Sequence, residues 1–145
     1  MKKSVIANLI ALSVVLVIAV ACGSKTGTSG SVPTGKTIRA APVGNLTATL
    51  SNDSGALKHG NQEVMLSLTD ASGKPVDVGA VSLAFHMDQM GAMSAMNDAV
   101  ALTTTDTPGI YRGKVDIEVA GEWQVQLAYE GPSGKGKTSF SVTAQ

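Results

Sequence analysis

Cysteine is almost missing from this chain: a single residue, Cys22, among 145. That excludes an intrachain disulfide framework, a C-x-x-C redox pair and a thiolate zinc site. Aromatic residues are nearly as scarce, with two Phe, two Tyr and one Trp, so any core must rest mainly on aliphatic side chains. Only two histidines occur, His59 and His86, and the formal net charge is zero. The basic residues are scattered and form no stripe, which argues against a nucleic-acid partner. No G-x-S-x-G stretch or other nucleophile signature is present. The chain does not read as an enzyme.

What the chain does have begins at its N-terminus. Met1, Lys2 and Lys3 precede an unbroken apolar stretch, "VIANLIALSVVLVIAVA", which is the pattern of an export signal over residues 1–21. It ends in "AVAC", with small residues at Ala19 and Ala21 before Cys22. This looks like a lipobox, in which Cys22 is acylated and becomes the first residue of the mature protein, although that pattern prefers Leu where Ala19 stands. Two alternatives remain open on these residues. Ala-Val-Ala also suits ordinary cleavage before Cys22, and the apolar run sits at the lower edge of the ~17–25 residues that can span a bilayer uncleaved. All three place the remainder outside the cytoplasm, in the periplasm or at the cell surface, and the lipid would make the membrane a partner. Residues 22–36 then read as the lipidated cysteine and a flexible tether rich in Gly, Ser and Thr. Residues 37–145 suffice for one small domain and not two.

That domain reads as strands. "QEVMLSL" alternates Val64, Leu66 and Leu68; "VSLAFHM" aligns Val81, Leu83, Phe85 and Met87; "EWQVQLAY" aligns Trp123, Val125, Leu127 and Tyr129; "TSFSV" offers Phe140 and Val142. Period-two alternation marks half-buried strands. Turn signals separate them at "DASGKP", "TPG" and "GPSGKGK". Further strands are expected near 47–51, 99–104 and 110–119. About seven short strands with such turns predict an all-β, immunoglobulin-like β-sandwich. Tyr111 and Trp123 read as core or corner residues, His59 as a solvent-facing turn residue, and Lys114, Asp116 and Glu118 as a solvated strand face. Asn45-Leu46-Thr47 matches a glycosylation acceptor, which carries little weight behind a signal of bacterial type.

The order of several short motifs resembles the YtkA-like domain family, with FixH-like proteins as relatives. The matching residues are Gly60-Asn61 before a strand, the D-x-x-G-x-P-V turn from Asp70 to Val76, Met87 with Met90 and Met93, the Pro-Gly-x-Tyr step from Pro108 to Tyr111, and Gly121-x-Trp123. The resemblance spans roughly residues 46–143. The chain departs from the pattern in having Asp88 where the family usually has a proline beside the first loop methionine. The resemblance implies a small extracytoplasmic immunoglobulin-like domain, of a kind found as lipoproteins and beside cation-transport or oxidase-assembly components. It thereby implies a theme of copper or another soft cation, with a metal-transport or oxidase-assembly protein as partner.

The stretch "HMDQMGAMSAM" holds four of the six methionines of the chain, each three residues from the next. Cu(I) favours soft donors, and thioethers persist in an oxidising compartment where cysteine pairs become disulfides. The candidate ligand set is Met90, Met93 and Met96, with His86 or Met87 as a fourth member. Strand alternation sets His86 and Met87 on opposite faces and gives Met87 to the core. Methionine is also an adaptable packing residue and an adaptable docking surface. The sequence therefore leaves the loop open between metal ligand, plug at the end of the sandwich and partner-binding patch.

Overall fold

The computed structural model describes residues 35–145, so the expected signal peptide, Cys22 and nearly all of the tether lie outside the described residues. Eight strands follow one another: β1 (Lys36–Val43), β2 (Leu46–Asn52), β3 (Gly60–Thr69), β4 (Ala80–Met87), β5 (Met96–Thr104), β6 (Ile110–Ile117), β7 (Gly121–Gly131) and β8 (Gly134–Ala144). They are hydrogen-bonded in the order β1-β2-β3-β6-β5-β4-β7-β8, and every strand pairing is antiparallel. Strands β2-β3-β6-β5 against β4-β7-β8 reproduce the strand order of an immunoglobulin constant-type sandwich. The all-β class and the sandwich expected from alternation are both present.

The alternation translates directly into the core. On β7, Trp123, Val125, Leu127 and Tyr129 are buried, while Glu122, Gln126 and Glu130 between them are exposed. On β3, Val64, Leu66 and Leu68 are fully covered, and on β4 so are Leu83, Phe85 and Met87. These side chains from the two layers join in one apolar cluster, each contributing about 1.5–3 kcal/mol through burial.

Three features depart from the sequence reading. β1 was not anticipated, because its stretch "KTIRAAPV" buries only Ala41 and Val43 and carries Pro42; it is an edge strand laid outside β2. The expected turn over 131–137 is much shorter. Lys135, Gly136 and Lys137 are paired in register with Glu130, Tyr129 and Ala128, since a glycine at 136 leaves room for the Tyr129 ring, whose Cε1 lies 2.5 Å from where a Cβ would stand.

Third, β5 changes partners along its length. Met96–Val100 pairs with β4 and Ala101–Thr104 with β6, so the strand joins the two layers at a corner. The backbone of β6 is left open where β5 departs, and there the Asp98 carboxylate accepts a hydrogen bond from the Asp116 amide at 2.8 Å. Gly113 lies beneath the switch, where any Cβ would run into the Val100 side chain. The end of β8 is secured by a backbone clasp. Gln145 donates to the Leu57 carbonyl at 3.0 Å, and His59 donates to the Gln145 carbonyl at 2.8 Å.

Candidate functional site

The methionine stretch is the tip of the β4–β5 hairpin. Met87 pairs with Met96 and His86 with Asn97 in the strand register. Beyond them the chain narrows again: the Met90 amide donates to the Met93 carbonyl at 3.3 Å, and the Met93 amide donates back to the Met90 carbonyl at 2.9 Å. Gly91 turns the corner with a φ of 57°, a left-handed conformation that glycine adopts without strain. The result is two cross-strand methionine pairs, and opposed residues of a hairpin present neighbouring side chains.

The two pairs have different surroundings. Met87 is only 2% exposed, and its Cε lies 3.2 Å from where a Cβ at Gly121 would be. Met96 is half-buried against the same core. Met90 and Met93 are 50% and 42% exposed, and are the two large apolar side chains standing exposed among the described residues. The physical cause is the odd spacing: in an extended hairpin a step of three residues carries a side chain to the opposite face.

His86 shares the outer face but is engaged on both ring nitrogens. Nδ1 lies 2.6 Å from Asn97 Oδ1, and Nε2 lies 2.9 Å from Asp88 Oδ1. The Asn97 contact first, and then Asp88, hold the imidazole above its ordinary value of 6.5. An ion recruiting His86 must therefore displace the hydrogen bond at whichever ring nitrogen it takes. Because the folded value is raised, the stabilisation that protonation contributes is complete below pH ~6.5 and fades as the pH rises through the folded value. Proton NMR is expected to show His86 titrating above its ordinary value, and moving back toward it when Asn97 is replaced by alanine. A titration unchanged by Asn97→Ala would refute the hydrogen bond as the cause.

At the base of the hairpin a hollow is lined by Met96, Asn97, Asp98, Asp116, Glu118 and Trp123. Trp123 is 1% exposed, and its Nε1 donates to the Val119 carbonyl at 2.9 Å. Among the described residues no group of three or more His, Cys, Asp or Glu side chains is gathered as a metal cluster would need. Met90 and Met93 bring two exposed thioethers to this tip. His59 is exposed beside β3, and Lys114, Asp116 and Glu118 are exposed along and just beyond β6. Asn97 was missed by sequence reasoning. It becomes visible once Met87 is set opposite Met96, because the same register sets Asn97 opposite His86.

A family model described as YtkA-like matches residues 40–128. The chain belongs to the YtkA-like family. No curated protein and no solved structure matches it. A YtkA-like domain is an extracytoplasmic type of module, and among the described residues no helix is long and apolar enough to cross a membrane.

The structure gives the motifs of this YtkA-like domain physical roles. In the D-x-x-G-x-P-V turn, Asp70 Oδ1 accepts hydrogen bonds from the Ser72 amide at 2.8 Å, the Ser72 hydroxyl at 2.6 Å and the Lys74 amide at 3.1 Å. The Ser72 hydroxyl above all holds the Asp70 carboxyl below the usual carboxylate range. In Gly121-x-Trp123, the glycine leaves space for Met87 and the tryptophan walls the hollow beneath Met96. The motif opening β7 thus supports the base of the methionine hairpin.

Proposed function

We propose that this YtkA-like domain is a membrane-tethered accessory that binds Cu(I) or a similar soft cation through Met90 and Met93, serving a metal-transport or oxidase-assembly partner. The observation that carries this reading is the exposed methionine pair, held side by side by reciprocal backbone hydrogen bonds at the hairpin tip. Thioethers are soft donors matched to Cu(I), and they need no deprotonation. Met87 and Met96 form the packed base of the hairpin. The tether and an acyl chain on Cys22 would hold the domain at the membrane surface. One lipid chain gives only marginal binding, so a stable anchor needs further acylation or a second contact.

The test is a Cu(I) competition titration, anaerobic and under reducing conditions, on the full chain in detergent. Met90→Leu/Met93→Leu keeps bulk and apolarity while removing both sulfurs. It is expected to weaken Cu(I) binding by more than the ~10–100-fold typical of losing an outer-shell partner. Met87→Leu is expected to leave affinity nearly unchanged. Equal affinity in the wild-type chain and the double variant would remove the assignment.

The same exposed pair supports a second reading, in which the tip is an apolar docking point for an envelope protein. Leucine preserves such a contact, so a partner that binds the double variant as well as the wild type in metal-free buffer would favour docking over metal.

A further inference from the structure

The hairpin offers a soft ion two donors where roughly three to four would satisfy it. The remaining candidates within one chain are each committed elsewhere. Met87 is buried over Gly121 and would have to leave the core. Met96 pairs with Met87 and packs against the core, on the face opposite Met90 and Met93. His86 is bound at both ring nitrogens. The Asp88 carboxylate is a hard donor mismatched to a soft ion. An ion held by one tip is therefore open on the side that faces solvent.

We infer that a second copy of this chain closes it. Two hairpin tips meet about a two-fold axis, each contributing Met90 and Met93, so that one ion is shared by four thioethers. This rests on the metal-binding reading above. The surface suits such an approach: Gly91, Ala92, Ser94 and Ala95, which flank the two methionines, are all small and exposed, so backbones can come close without collision. Asp88 is the one carboxylate between His86 and Met96, and it lies 2.9 Å from the His86 imidazole. That contact mutes repulsion between the two copies. An isologous contact of this kind also closes on itself and does not propagate into a filament.

The experiment is an anaerobic Cu(I) titration of the full chain in a density-matched detergent, followed by sedimentation. The expected result is saturation at one ion per two chains, with the protein mass doubling as the ion is added and returning when a chelator removes it. Met90→Leu/Met93→Leu should stay monomeric at every Cu(I) concentration, with an unchanged circular dichroism spectrum to show that it folds. Saturation at one ion per chain with no change in mass would overturn the shared site while leaving the metal-binding reading intact. A dimer that persists without metal would overturn the ion as the link. Absence of Cu(I) uptake by the wild-type chain would remove both readings together.

Discussion

Trp123→Ala is expected to lower the unfolding free energy by about 3–5 kcal/mol, the usual cost of emptying a large aromatic site. Trp123 heads the largest fully buried side chains of the domain. It is the only tryptophan in a chain with few aromatics. The change also deletes the indole donor to the Val119 carbonyl, at the crossing from β6 to β7. A small domain has only ~5–15 kcal/mol in total, so much of the folded population would be lost at modest denaturant. Urea unfolding followed by circular dichroism checks this, since the substitution removes the main fluorophore. A loss below about 1 kcal/mol would mean that the site collapses freely, contrary to the packing described. Because Trp123 also walls the hollow under Met96, a folded remnant should show the base of the methionine hairpin loosened.

Gly109→Ala is expected to be nearly as damaging, at about 2–6 kcal/mol, from backbone strain together with overpacking. Gly109 has a φ of 84°, and a Cβ there would stand 2.6 Å from the Val76 nitrogen and 2.6 Å from its carbonyl oxygen. Those are backbone atoms and cannot swing aside. The same spot knits three segments: Leu68 donates to the Gly109 carbonyl at 2.9 Å, and Val76 donates to the Leu68 carbonyl at 2.8 Å. Gly73 provides the control, with a φ of 81° and nothing within 4 Å of its would-be Cβ. Gly73→Ala should cost only the strain of a left-handed alanine, about 1–2 kcal/mol. The difference between the two midpoints in parallel denaturation curves measures the steric term. Equal losses would refute the close approach at Val76.

The buried faces of β3, β7 and β8 could be read residue by residue, and that of β4 apart from Val81, which is only half-buried, because alternation is a local property of an extended chain packed on one side. Val64, Leu66, Phe85, Val125 and Phe140 all lie where it sets them. β1 escaped notice for the opposite reason. An edge strand buries little, so "KTIRAAPV" carries almost no periodic signal. Similarly, "GPSGKGK" has the composition of a loop, yet much of it forms strand, since Gly136 is small to accommodate Tyr129 and not to turn the chain.

The candidate site was legible as a set of residues but not as a geometry. His86, Met87, Met90, Met93 and Met96 were recognisable as the donors available. Their division into an exposed pair, a packed pair and an engaged imidazole depends on where the hairpin turns. That turn follows from Gly91 and from the backbone bonds between Met90 and Met93.

By itself the sequence determined the all-β class, the inward faces of most strands and the family motifs, all of which depend on neighbours along the chain. Only the tertiary structure decided that β5 belongs half to each layer, that Asp98 satisfies the β6 backbone at the switch, and that Met90 and Met93 stand in solvent. Those outcomes depend on which strand lies beside which, and strand pairing is a contact between distant residues that no local period records.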